Sequence, residues 1–200
     1  MTDPYITAYL EGADQIIKSL DREGIRKIID LVVDIRKQGG RLFFLGVGGG
    51  AANASHAVND FRKIAGMESY TPLDNVSELT ARANDQGWES SLVDWLATSR
   101  LNARDGVFVF SVGGGDKERN ISANIVSALE FARSAGARIM GIVGRDGGFT
   151  AKVADAVVII PSVNAETVTP QTESFQAVLW HLIVSHPQVR LNPMKWESSK

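Results

Sequence analysis

Apolar residues fall into two kinds of run along this chain. Short unbroken runs, rich in β-branched and aromatic side chains, occupy 42–45, 107–110, 138–143 and 156–160. Runs of that length predict strands buried on both faces, as in a parallel sheet. Elsewhere the apolar positions recur at helical spacing: Tyr5, Tyr9, Ala13, Ile16, Ile17 and Leu20, then Ile25, Ile28, Ile29, Val32 and Ile35. Helices are expected over 5–20, 24–37, 50–64, 76–83, 89–100, 121–135 and 170–186. Gly39-Gly40 is placed to end the second. Asn120 or Ser122 is placed to cap the helix over 121–135. Pro170 suits the first turn of the last helix and Pro187 its end. Two helices followed by repeated strand, glycine loop and helix make an α/β chain. Its crossovers should be right-handed and its ligands should bind at the C-terminal ends of the strands.

The 19 glycines sharpen that picture, because three clusters of them follow three of the strands: 46–50, 113–115 and 144–148. Gly46-x-Gly48-x-x-Ala51 fits a dinucleotide-binding fingerprint, with Asp74 as its later acidic residue. It fits equally a tight strand-to-helix turn that needs glycine only for packing. The helix that follows carries His56 and Asp60 at i and i+4, on one face. That spacing serves two metal ligands or an acid–base pair. It also serves a half-buried histidine capped by its neighbour. The chain has 3 histidines; another, His181, lies in the last helix eight positions after Glu173. Arg145 reads as a surface charge, and Phe175, Leu179 and Trp180 read as packing residues.

Composition sets limits. With 200 residues, 44% hydrophobic and 22% charged, the chain is an ordinary globular protein able to bury a full core. The absence of cysteine excludes thiol catalysis and cysteine-ligated zinc. A net charge of −2 argues against a broad nucleic-acid-binding face. No apolar run approaches membrane-spanning length, and the N-terminus lacks the form of a signal peptide, so a cytoplasmic protein is expected. One domain is expected over 1–190, with a helical pair at 1–38 and an α/β core at 39–188. A tail follows at 189–200, in which Pro193 and Trp196 belong either to an arm on a neighbouring subunit or to a frayed end.

Taken in order, five segments resemble the sugar isomerase (SIS) domain, and within it the phosphoheptose isomerases. Residues 45–56, LGVGGGAANASH, resemble that family's LGNGGSAADAxH. Asn84-Asp85-Gln86-Gly87-Trp88 resembles its NDxG-aromatic segment. Phe110-Ser111-Val112-Gly113-Gly114-Gly115-Asp116 sits where it has ISTSGNS, Gly144-Arg145-Asp146-Gly147-Gly148 resembles TGxxGG, and 172–181 sits where IQExH-x4-H occurs. The resemblance implies a flavodoxin-like fold with a five-stranded parallel sheet. It also implies a homotetramer helped by the two leading helices, and an active site at a subunit interface holding a divalent metal such as zinc. It implies His56, Asp60, Glu173 and His181 as metal ligands, with Asp60 as base and His181 as acid in an aldose–ketose isomerisation. Gly48, Gly49, Gly50, Asn84, Asp85, Ser111, Gly113, Gly114, Gly115, Asp116, Asn120 and Glu173 are the implied substrate contacts.

The chain also departs from that family. Asp60 is one methylene shorter than the family glutamate, and Glu173 replaces a glutamine. Val47 and Gly50 replace an asparagine and a serine. The second glycine loop keeps one hydroxyl, Ser111, and places Asp116 where a phosphate would be approached. Lys117 and Arg119 could offset that charge, or could be ordinary solvated charges. Glu173 and His181, roughly 12 Å apart along a helix, can serve one ion only if the helix start is irregular or if they come from different subunits. A non-catalytic SIS module that binds a sugar phosphate or a protein, and a nucleotide-binding Rossmann enzyme, are the alternatives.

Overall fold

The computed structural model describes residues 3–194; the tail is described to 194, with the Leu191 and Asn192 amides donating to the Ile64 carbonyl, and Trp196 lies outside the described residues. Two helices lead, α1 (Pro4–Ser19) and α2 (Arg22–Lys37), followed by β1 (Leu42–Gly46), α3 (Gly49–Lys63), β2 (Ser69–Tyr70), α4 (Val76–Asp85) and α5 (Ser91–Thr98). Then come β3 (Gly106–Ser111), α6 (Ala123–Ser134), β4 (Arg138–Val143), α7 (Gly148–Val153), β5 (Ala156–Ile159) and α8 (Val168–Ser185). The strands form one sheet in the order β2-β1-β3-β4-β5, every pair parallel. This is the flavodoxin-like order rather than the dinucleotide-binding order. β2, a two-residue strand, and the short α7 were not legible as periodic runs.

Strand alternation divides the core into two layers. Phe44, Phe108 and Phe110 point to the face covered by α2, α3 and α8, where Phe61 of α3 joins them with its ring centroid 5.1 Å from that of Phe44. Phe43, Leu45, Val107 and Val109 point the other way, onto α5, α6 and α7. Period-two alternation, with both classes of position apolar, is what a sheet sandwiched between helix layers requires. α1 lies mostly outside this core. It buries Gly12 and Ile16, is held where Gln171 Nε2 donates to the Tyr9 carbonyl, and leaves Tyr5, Ile6, Leu10 and Ile17 exposed.

α2 ends as expected, with Gly39 left-handed at φ +67° and the amides of Gly39 and Gly40 returning to Arg36 and Ile35 carbonyls. Ser122 occupies the N-cap of α6 but makes no side-chain cap hydrogen bond. Pro170 lies in the first turn of α8, and His186 ends that helix just before Pro187.

A clamp below the sheet fixes the β1 and β3 entries. Asp105, only 2% exposed, accepts from the Arg41 amide and guanidinium and from the Asn102 amide and side chain. The hydrogen bond and charge of Asp105 raise the Arg41 pKa above its ordinary value. Removing one partner of a buried pair strands the other, at a cost of about 3–5 kcal/mol. Asp105→Ala should therefore lower the unfolding free energy by about that amount, read from denaturant titrations followed by circular dichroism, with the metal-binding behaviour of the refolded protein unchanged.

Candidate functional site

α3 and α8 lie side by side and run in the same direction. Their register can be followed along the seam. Gly49 faces Glu173, Asn53 faces Gln176 and Trp180, His56 faces Trp180 and His181, and Asp60 faces His181. Asn53 Nδ2 donates to the Glu173 carbonyl (3.0 Å) and to Gln176 Oε1 (3.2 Å), while Asn53 Oδ1 accepts from Trp180 Nε1 (3.2 Å). Gln176 in turn donates to the Ile142 carbonyl of β4 (3.1 Å). The seam is thereby tied to the sheet.

The seam has two features. At its start, glycine is required by close approach. A Cβ on Gly50 would fall 2.3 Å from the Phe110 carbonyl oxygen, so α3 begins pressed on β3. That leaves no room for the serine of the resembling motif. A Cβ on Gly49 would fall 2.3 Å from the Glu173 side-chain carbon, so the Glu173 carboxylate lies directly over the first turn of α3. Farther along, His56, Asp60 and His181 bring one donor atom each to within 4.8 Å of one another.

In that triad Asp60 is 3% exposed. Its Oδ1 accepts from Asn59 (2.8 Å), whereas its buried Oδ2 has no hydrogen-bond partner among the described residues. Oδ2 instead faces His56 Nε2 at 4.0 Å and His181 Nε2 at 3.8 Å. The Ala177 carbonyl lies 2.7 Å from His181 Nδ1 and can only accept, so Nδ1 carries the proton. The Nε2 lone pair of His181 therefore points at Asp60. The two imidazoles are 58% and 41% exposed, so the triad opens on one side. A buried carboxylate oxygen without a donor is costly. A cation between that oxygen and the imidazole nitrogens removes the cost, and the donor set is one that suits zinc with a coordination position left open. A carbonyl bond on the far ring nitrogen is the usual support of a ligating histidine. The residues fit a divalent metal.

A cavity of about 910 Å³ lies at the C-terminal ends of β3 and β4. Its lining includes Ser111, Gly113, Arg119, Arg145, Lys152 and Thr169. Asp116 is also in its wall. Its Oδ1 accepts from the Glu118 and Arg119 amides at 2.9 and 3.0 Å, and Arg119 Nε is 3.7 Å from its Oδ2, so the carboxylate caps its own loop. Lys117 is paired with Glu130. Ser111 Oγ accepts from the Gly114 amide (3.0 Å), so the surviving hydroxyl braces the loop.

The remaining sequence-derived positions are scattered. Gly48 and Gly49 open α3 and Gly114 and Gly115 shape the cavity loop, all but Gly49 at positive φ. Asn120 is left-handed, at φ +54°, beside that cavity. Asn84 and Asp85 pair with each other at the exposed end of α4, away from both features, and Trp88 is exposed rather than in the core. Asp74 accepts from Ser55 Oγ and so braces α3, which leaves it no role as a ribose ligand. Glu173 does not join His56, Asp60 and His181 within this chain. Phe175, Leu179 and Trp180 are buried, as packing residues should be. Asn53 and Gln176 escaped the sequence reading, although Gly49, Asn53, His56 and Asp60 already form a small-or-polar stripe at 4, 3 and 4 spacing.

Comparison with known proteins agrees with this geometry. The SIS domain profile matches residues 5–144. The phosphoheptose isomerase of Geobacter sulfurreducens is 30% identical over 94% of this chain and 98% of its own length. The lincomycin biosynthesis protein LmbN of Streptomyces lincolnensis is 30% identical over 78% of this chain, and the match spans 59% of that longer protein. Among solved structures, a phosphoheptose isomerase from Francisella tularensis superposes with a TM-score of 0.79 at 21% identity, covering 92% of this chain and 97% of the other. One from Neisseria gonorrhoeae gives 0.76 at 21% identity, with 90% and 92% covered.

The triad makes a direct prediction. Protein dialysed against zinc should retain on the order of one ion per chain, measured by plasma mass spectrometry. Asp60→Ala and His181→Ala should each reduce this to background. Chelation of the wild-type protein should lower its melting temperature, because it returns Asp60 Oδ2 to an unpartnered state.

Proposed function

The chain belongs to the SIS domain family and, within it, to the phosphoheptose isomerases, and on that premise we propose that it interconverts sedoheptulose 7-phosphate and the corresponding aldoheptose 7-phosphate. The observation that carries the reading is the convergence of His56 and His181 on the unpartnered buried oxygen of Asp60.

Isomerisation moves one proton between C1 and C2 and another between their oxygens, and consumes no oxidant or co-substrate. Zinc is the proposed ion; when bound it would polarise the substrate carbonyl. Asp60 is the base that carries the carbon-bound proton. His181, its proton fixed on Nδ1, would hold the ion through Nε2 beside Asp60. The Ala177 carbonyl keeps that ring from turning.

The distances within one protomer favour a shared site. Thr169 lines the cavity and His181 belongs to the triad, twelve positions farther along α8, or about 18 Å. A seven-carbon chain with its phosphate spans on the order of 12 Å. This separation supports a site in which the anion lies in the cavity of one chain and the carbonyl at the triad of another. We assign the triad to one protomer, and the cavity, Gly48–Gly50 and Glu173 to its partner. Asn84 and Asp85, exposed on α4, are available to that composite site. Exposed Val178 and Leu182 flank His181, and α1 exposes Tyr5, Ile6, Leu10 and Ile17; a second copy of the chain would cover both faces, in keeping with a homotetramer. Among the described residues no helix is long and apolar enough to cross a membrane.

Proton NMR of sedoheptulose 7-phosphate with zinc-loaded protein should show new aldose anomeric signals. An unchanged spectrum from metal-replete protein would leave a binding module in place of an isomerase. The shared site is checked by co-expressing His181→Ala with Glu173→Ala. Each alone should be inactive, and the mixed oligomer should regain turnover, since one of its interfaces carries both intact halves. Inactivity of the mixture would return the site to a single protomer.

A further inference from the structure

We propose that Arg145 determines the anion specificity of the cavity, holding the dianionic phosphate end of the substrate by a guanidinium fork where the resembling loop uses hydroxyls. This rests on the isomerase reading for the identity of the substrate, but not for the binding of the anion.

The backbone first singles out this residue. Among the described residues four non-glycines have positive φ; Ser122 (+50°) and Arg145 (+52°) line the cavity, and Asn120 (+54°) lies between the lining residues Arg119 and Ile121. A left-handed arginine is costly, and such strain persists where the surroundings impose it, commonly at ligand sites. Here the β4–α7 turn is locked against the β3–α6 loop. The Phe149 and Thr150 amides donate to the Gly115 and Gly114 carbonyls at 2.7 and 2.9 Å, and Thr150 Oγ1 also donates to Gly114. Arg145 is thereby pinned at the cavity rim.

Its side chain then runs beside the glycine loop. The one atom within 4 Å of a Cβ built on Gly113 is Arg145 Cδ, at 4.0 Å. The arginine stem thus passes over the loop position where the family motif has a serine. The loop has lost the hydroxyls at 112, 113 and 116, and an arginine lies over the gap.

The charges complete the case. Of the four cations in the cavity wall, Lys117 is committed to Glu130 and Arg119 lies beside Asp116. Arg145 and Lys152 have no ion pair or hydrogen bond among the described residues. Of the wall's carboxylates, Asp116 and Asp146 each accept from backbone amides, at Glu118, Arg119 and Gly148; Glu118 is the third. The Gly113 and Gly115 amides carry no hydrogen bond among the described residues. Two free cations and two free amides around one concave surface form a receptor for a phosphate monoester, with arginine giving bidentate geometry and lysine a point charge.

The test uses inorganic phosphate and zinc-loaded full-length protein, with binding followed by calorimetry and by 31P line width. Wild type should bind, more weakly as salt rises. Arg145→Ala should weaken binding by about tenfold or more, the scale of a charged hydrogen bond. Arg145→Lys should recover part of it. Melting temperature and zinc content should stay at wild-type values, which separates loss of the anion site from loss of the fold. With sedoheptulose 7-phosphate, Arg145→Ala should raise KM far more than it lowers kcat. Equal phosphate affinity in wild type and Arg145→Ala, or no phosphate binding by wild type, overturns the proposal. Normal phosphate binding without turnover by wild type overturns the isomerase reading and leaves this one standing.

Discussion

Asn53 sets the register on which the site depends. One amide side chain spans two helices, giving its protons to α8 at Glu173 and Gln176 and taking one from Trp180. Gln176 passes the constraint to the sheet through the Ile142 carbonyl. Two parallel helices packed by apolar contacts alone could slide by a residue with little change in buried area. A saturated amide in a half-buried seam cannot, because a shift leaves several polar groups unpaired. The register so fixed brings His56 and Asp60 opposite His181. A slip of one residue on either helix, about 100° of rotation, would carry a ligand off the shared face. The chemistry is thus held by a residue that takes no part in it.

The same seam explains why the glycines are where they are. α3 must start in contact with β3 if His56 and Asp60, two and three turns later, are to reach α8. Gly50 permits that contact with the Phe110 carbonyl, and Gly49 makes room for the Glu173 carboxylate. The loop that looks like a dinucleotide fingerprint is therefore a packing device in this fold. Its sheet order and the use of Asp74 to brace Ser55 agree with that assignment.

Much of this was legible in the sequence, and the limits have physical causes. Continuous apolar strands and amphipathic helices announce themselves by period, so the four long strands and most helices could be read within a few residues. β2 could not, because two residues carry no period, and it pairs only as an edge extension of β1. The triad was legible as types and spacing on α3, whereas its third member needed the resemblance, since nothing in a linear sequence aligns α3 with α8. Glu173 is aligned with the metal ligands by resemblance, and within one chain the rise of its own helix separates it from His56, Asp60 and His181, as its eight-residue spacing from His181 foretells. The surroundings of Asp116 could not be read from the sequence, because they consist of backbone hydrogen bonds. Two amides of its own loop take up the carboxylate, and the sequence signals this only as an acidic residue ahead of a turn.

Arg145 illustrates how a substitution pattern becomes intelligible only in three dimensions. Along the chain, the lost hydroxyls at 112, 113 and 116 and the arginine at 145 lie some thirty positions apart and show no connection. The parallel pairing of β3 with β4, Ser111 against Val143, brings the two following loops to the same edge. Gly113 of one loop and the Arg145 stem of the other then come within van der Waals reach. Recognition by hydroxyls is short-ranged and geometrically strict. Recognition by a guanidinium is charged and longer in reach, and tolerates a wider cavity. A cavity of about 910 Å³ exceeds what a sugar phosphate alone needs, so a long charged arm is the element that can hold an anion there without the walls closing on it. The left-handed backbone of Arg145 stands in the same turn whose Phe149 and Thr150 amides tie it to the Gly115 and Gly114 carbonyls.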